Sequence, residues 1–228
     1  MQKPTAIYLG WTNSQTSKEV EDILRDSFEL KFVRSFSFGE KTDQEALAKL
    51  STQFLFTFGP LIVRKPLLTS STIAAINFHT APPKWPGRGS CSHALLARDT
   101  EFGITAHLIS EAIDAGPILR VLRFPITQDD DAESLHEKTL RKIPELVKAT
   151  LMDLRSNNWQ PVIQNDETWE RKALKQKELF QLMRIDESDT DEQVALKIRA
   201  FSHSKKPGPF IERNGIRFWY MKAQNSDA

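Results

Sequence analysis

In Thr72-Ile73-Ala74-Ala75-Ile76-Asn77-Phe78-His79-Thr80-Ala81-Pro82-Pro83-Lys84-Trp85-Pro86-Gly87 an apolar run gives way within a few residues to prolines and glycine. Thr72–Phe78 is short, apolar and bounded by turn formers, which reads as a strand. Pro82, Pro83, Pro86, Gly87 and Gly89 force Ala81–Gly89 to be loop. Upstream, Thr5–Leu9 reads as a buried strand ending at Gly10. Ser17–Arg25 places Val20, Ile23 and Leu24 at helical spacing, and Leu30–Phe36 alternates as a strand. Asp43–Leu50 reads as a short helix with Thr42 as its cap. Gln53–Phe58 is a strand stopped by Gly59-Pro60. Strands separated by helices of this length predict βαβ units and a mainly parallel sheet. In such sheets ligands sit beyond the C-terminal ends of the strands, where Asn77 and His79 fall.

Downstream, Ser90–Arg98 reads as a short helix, and Gly103–Ile109 and Ile118–Ile126 as strands. A long helix is expected from Asp130, with Glu133 three residues on completing a capping box. Leu135, Thr139, Leu140, Ile143, Val147, Leu151 and Leu154 form its apolar stripe, and Pro144 predicts a kink or a break. The fold class is therefore α/β: a Rossmann-like, mainly parallel sheet flanked by helices, closing near residue 157. Residues 158–228 read as a small α+β appendage. It holds a polar linker, the helices Lys175–Met183 and Asp191–Phe201, and a hairpin. The hairpin pairs Phe210–Arg213 with Ile216–Tyr220 around Asn214-Gly215, the dipeptide of a type I′ turn. The residues after Lys222 are expected to fray.

Composition narrows the function classes. The chain has 228 residues, enough for one domain with a small appendage. Its 31 Lys+Arg against 30 Asp+Glu leave no basic footprint for nucleic acid. The single cysteine, Cys91, makes an internal disulfide impossible and suits a reducing compartment. With no signal peptide and no apolar run near the ~18 residues of a membrane span, a cytoplasmic location without membrane partners is expected.

Acyl transfer to an amine needs donors for an oxygen that gains negative charge and a base for the proton the amine loses. Asn77 or a histidine ring can supply the first, and a histidine or carboxylate, directly or through water, the second. Asn77 and His79 share one face of an ideal strand. Asp114 follows 35 positions after His79, in Ile113-Asp114-Ala115-Gly116-Pro117. Each has a plain structural reading too: an Asn-x-His pair also occurs at ordinary strand ends, and Asp before Ala-Gly-Pro forms turns. His93 reads as a polar helix position, His107 as a satisfied buried group or one supporting the site from behind, and His136 and His203 as surface residues. No base is placed for Cys91. No cluster has metal-ligand spacing, so no metal is expected, and Gly10 alone makes no dinucleotide fingerprint.

Taken together, Asn77-Phe78-His79-Thr80-Ala81-Pro82-Pro83-Lys84-Trp85-Pro86-Gly87, then Phe102-Gly103-Ile104-Thr105-Ala106-His107, then Asp114-Ala115-Gly116-Pro117-Ile118 strongly resemble the folate-dependent formyltransferase family. That family includes glycinamide ribonucleotide, methionyl-tRNA and sugar N-formyltransferases. The resemblance implies N10-formyltetrahydrofolate as donor, with tetrahydrofolate as product. It implies that Asn77, His79 and Asp114 are the catalytic trio: Asn77 and His79 hold the formyl oxygen, and Asp114 orients His79 or a water. It places the folate near Phe58, Gly59, Leu61, Ile62, Ile113 and Gly116.

Many relatives read Ser-Leu-Leu-Pro after the histidine. Thr80-Ala81-Pro82-Pro83 resembles the branch that acts on amino sugars carried on nucleotides, and Trp169–Lys172 and Ile198–Phe210 resemble the segment that follows its catalytic domain. The tRNA enzymes continue into a barrel domain, which this chain does not reach. The implied substrate is a dTDP-linked 4-amino-4,6-dideoxyhexose, or a 3-amino counterpart, for a surface polysaccharide. Pro83, Lys84, Trp85 and Arg88 are the expected substrate contacts, Lys84 and Arg88 facing the diphosphate. The hairpin makes a homodimer the expected assembly, and Trp219 and Tyr220 either stack on a base or pack on a neighbour. The competing readings are another formyl acceptor, a formyltetrahydrofolate hydrolase, and a non-catalytic folate- or nucleotide-binding protein.

Overall fold

The computed structural model describes residues 2–223. The segment from 224 onward, where fraying was expected, lies outside the described residues. Six strands make the main sheet: β1 (Thr5–Trp11), β2 (Glu29–Phe36), β3 (Phe54–Thr57), β4 (Ala74–His79), β5 (Glu101–Leu108) and β6 (Ile118–Pro125), in the order β2-β1-β3-β4-β5-β6. The first four in that order are parallel, as expected of βαβ units. β5 runs antiparallel to β4, and β6 antiparallel to β5. The helices are α1 (Gln15–Ser27), α2 (Gln44–Ala48), α3 (Ser90–Leu96) and α4 (Ala132–Ser156), followed by α5 (Gln176–Leu182) and α6 (Asp191–Phe201) in the appendage.

Strand alternation sorts two cores onto the two faces. Tyr8, Phe54, Phe56, Ile76 and Phe78 pack on one face, under α1, α3 and α4, in one large cluster. Ile7, Leu9, Leu55 and Ala75 face the other way and meet Phe36, Leu47, Val63 and Leu67. The second cover is thin: five-residue α2 and a single 3-10 turn at Leu67–Thr69. Asn77 and His79 alternate onto this thinly covered face, and so the end of β4 opens there.

Local capping explains two shifts from expectation. Asp43, not Thr42, caps α2, its carboxylate accepting from Ala46 N–H at 2.9 Å. Asp131 with Ser134, not Asp130 with Glu133, makes the capping box of α4. Asp130 is buried instead, accepting from Thr127 and pairing with Lys138 at 2.7 Å. α4 runs unbroken through Pro144.

Residues of the appendage bond the loop between β6 and α4. Arg199 of α6 donates to the carbonyls of Asp130 and Thr127 at 2.6 and 2.7 Å. β7 (Phe210–Arg213) and β8 (Ile216–Trp219) pair antiparallel, with Asn214 and Gly215 both at positive φ, the turn expected from the sequence. Phe210, Trp219 and Phe180 of α5 pack ring to ring on one side of this hairpin.

Candidate active site

Thr57 ends β3 in register with Asn77 of β4, and its hydroxyl donates to Asn77 Oδ1 at 2.7 Å. Across the antiparallel β4–β5 ladder, His107 stands opposite Asn77, with Nε2 3.1 Å from Asn77 Nδ2. His107 Nδ1 lies 2.8 Å from the Leu108 carbonyl, which can only accept. The proton therefore sits on Nδ1, Nε2 accepts from the Asn77 amide, and Oδ1 is left for Thr57. The chain from Thr57 to Leu108 fixes the amide's orientation and leaves its second N–H free.

Asp114 arrives on the loop between β5 and β6, in the left-handed region at φ 46°. A Cβ on Gly116 would lie 1.9 Å from the Leu108 carbonyl oxygen, so only glycine lets this loop close onto β5. Asp114 Oδ2 accepts from Gly87 N–H at 2.9 Å and lies 3.5 Å from His79 Nδ1. Its Oδ1 lies 3.6 Å from His107 Nε2. Gly87 is itself at φ +87°, with a would-be Cβ 2.4 Å from Leu174 N. Asn77, His79 and Asp114 thus lie close together, with His107 opposite Asn77 and 3.6 Å from Asp114.

Burial pushes His79 below the ordinary imidazole value, opposed by Asp114 and assisted by His107. Burial would raise Asp114, but His79 and the Gly87 N–H hold its carboxyl well below the usual carboxylate range. At neutral pH the pair is a neutral imidazole beside a carboxylate. The buried Nε2 of His79 has no hydrogen-bond partner, so it is the one atom of the trio open to a new proton or donor. A lowered imidazole contributes stability that is complete above its unfolded value, about 6.5, and is lost as pH falls, because the unfolded chain takes the proton first. Urea midpoints of the wild type should therefore drop between pH 7 and 5, and His79→Gln should flatten part of that drop. His93, also lowered chiefly by burial, keeps its share.

A strap from the appendage closes the site. Trp169 Nε1 donates to Gly116 O at 2.7 Å, and its ring meets those of His107 and His79 edge-on at 5.0 and 6.0 Å. Glu170 N–H and Leu174 N–H donate to Pro83 and Pro86 carbonyls, and Arg88 N–H to Leu174. The strap so holds both the proline-rich loop and the Asp114 loop. Thr57, Gly87 and Trp169 were not singled out as site residues from the sequence; each enters through a contact between segments distant along the chain.

The remaining expected positions have the following surroundings. Phe58 and Gly116 are buried, while Ile62 and Ile113 leave 45% and 44% of their surface exposed. Gly59 packs against the backbone of Gly10, and Leu61 borders the thin core. A cleft of about 260 Å³ lies beside them, lined by Val63, Arg64, Lys65, Leu68 and Glu111. Pro83 is buried. Lys84 Nζ and Trp85 Nε1 both donate to Asp99 at 2.7 Å. Trp85 is sandwiched between His93 and the Arg171 guanidinium. Arg88 lies over Phe38. Cys91 is half-buried, and desolvation of its thiol pushes it up to about 12 and leaves it inert.

Residues 13–151, more than half of the chain, match the family model "Formyl transferase". The chain belongs to the formyl transferase family. Its relatives include a methionyl-tRNA formyltransferase from Janthinobacterium sp., 30% identical over 72% of this chain and 51% of that protein. The chain thus spans about half the length of the curated relatives it matches first. A 4-N formyltransferase from Francisella tularensis shares the fold at TM-score 0.78, with 14% identity over 97% of this chain and 98% of that one. A sugar N-formyltransferase from Shewanella sp. does so at 0.76, with 16% identity over 99% of both. Among the described residues, no helix is long and apolar enough to cross a membrane, and no group of three or more His, Cys, Asp or Glu is placed to hold a metal ion.

Proposed function

We propose that this formyltransferase moves a formyl group from N10-formyltetrahydrofolate to the amine of a nucleotide-linked amino-dideoxy sugar for a surface polysaccharide. The observation that carries the reading is Asp114 beside Nδ1 of His79, near Asn77, with Nε2 of the same ring left unpartnered. A folate fits this site on two counts. An unsatisfied buried polar atom faces the reacting centre, and the exposed side chains of Ile62 and Ile113 offer apolar surface to a flat ring beside it. Phe58, Gly59, Leu61, Ile62, Ile113 and Gly116 would hold it. When bound, the folate supplies an activated formyl group on a nitrogen that can leave.

The chain's own part follows from the geometry. Asn77 offers its free Nδ2–H to the formyl oxygen as charge builds there. His79, with its proton on Nδ1 toward Asp114, takes the amine proton on Nε2. The resulting imidazolium is held by the Asp114 carboxylate and becomes a second donor beside Asn77. Gly87 N–H keeps Asp114 in place, and the strap with Trp169 limits access of water.

Thr57→Val should lower kcat about tenfold with little change in KM, because the Asn77 amide loses its anchor. Thr57→Ser should restore most of it. Steady-state kinetics of the two variants check this.

The Ala81-Pro82-Pro83 variant of the loop supports the sugar acceptor, and so does the fold likeness to sugar N-formyltransferases over 99% of this chain. The exposed hairpin side chains Ile216 and Phe218 support a homodimer. Sequence relatives that are methionyl-tRNA formyltransferases favour a second reading, with an aminoacylated tRNA as acceptor. Initial rates with a dTDP-amino sugar, glycinamide ribonucleotide and methionyl-tRNA, each with the same donor, separate the two. A rate confined to the tRNA overturns the sugar reading.

A further inference from the structure

Three segments distant in sequence meet at the C-terminal edge of the sheet, beside the catalytic trio. Trp11 ends β1, Phe38 follows β2, and Arg88 follows Gly87, the residue whose N–H holds Asp114. Trp11 and Phe38 meet edge to face at 4.7 Å, and the Arg88 guanidinium lies 4.4 Å over the Phe38 ring. Phe38 keeps 60% of its surface exposed, an unfavourable place for a phenyl ring. Among the described residues, no ion pair holds Arg88. Trp85 differs in both respects: it is buried, with both ring faces covered and its indole N–H bonded to Asp99. Lys84 likewise has its charge paired with Asp99.

An open aromatic pair next to an uncommitted guanidinium matches one ligand chemistry, a planar base joined to a phosphate chain. Arg88 is one residue, about 3.8 Å of chain, from the group that positions Asp114. A diphosphate on its guanidinium would leave the attached sugar between it and the trio. Rotation of the Arg88 side chain onto the phosphates also frees the face of Phe38 that it covers. We infer that Trp11, Phe38 and Arg88 form the nucleoside-diphosphate subsite, the rings taking the base and the guanidinium the diphosphate. This rests on the nucleotide-sugar reading above and adds to it a subsite in which Trp11 and Phe38, rather than Trp85, receive the base.

Calorimetric titration of the full chain with dTDP and with UDP tests it. The wild type is expected to bind at least one of them. Phe38→Ala and Arg88→Ala should each weaken that binding about tenfold or more, while Lys148→Ala, an exposed change on α4, leaves it unchanged. Phe38 and Arg88 are exposed, so their truncation spares the core, and unchanged thermal midpoints verify this. Wild-type binding that Phe38→Ala leaves intact overturns the stacking surface, and binding that survives Arg88→Ala overturns the phosphate contact. Either result leaves the nucleotide-sugar acceptor standing. A wild type that binds neither diphosphate overturns the subsite and the nucleotide-linked acceptor together.

Discussion

Changing His79 to Ala is expected to lower kcat about 10³-fold, with the KM for the amino sugar close to that of the wild type. In the proposed reaction the ring meets the amine through Nε2, which has no hydrogen-bond partner among the described residues. Its other nitrogen is 3.5 Å from Asp114, too long to anchor the fold. Removing the ring should therefore take away proton transfer and little else. Single-turnover formyl transfer, with thermal melts to verify folding, measures both. Wild-type turnover in His79→Ala would remove His79 from the mechanism.

Asp114→Asn is the second large effect, again about 10³-fold in kcat. An amide oxygen can still accept from Gly87, as Asp114 Oδ2 does, but it carries no charge to balance the one that appears on His79. The pH profile distinguishes this from simple damage. Asp114 raises the His79 value against the effect of burial. Without it the ring loses its proton even more readily, so the acid limb of the residual kcat should move to lower pH. A variant with an unmoved limb would argue that Asp114 acts only as a turn residue.

The strand that delivers Asn77 and His79 was legible because its local signals agree: an apolar run, a pair two residues apart, then prolines. The Asp114 turn was legible for the same reason. What joined them was not. The Thr57–Asn77 contact depends on the register of two parallel strands, and the opposition of Asn77 and His107 on β5 running back antiparallel. The segment Thr80–Thr100 contains a short helix and reads like any crossover, so the reversal leaves no periodic trace. Trp169 reaches the site over 53 positions of chain through one indole bond to Gly116, and no local pattern encodes that. The cap of α4 failed differently. Asp129, Asp130 and Asp131 are adjacent, and the choice among them was made by tertiary burial of Asp130 against Lys138 and Arg199.

Product analysis decides whether this site transfers a formyl group to a sugar amine. The full chain would be mixed with N10-formyltetrahydrofolate and dTDP-4-amino-4,6-dideoxyglucose, and the sugar nucleotide read by mass spectrometry alongside free formate. An N-formylated sugar nucleotide should form with wild type and not with His79→Ala. Formate released at the same rate with and without the amine, and no formylated sugar, would contradict it and mark the chain as a hydrolase of the donor.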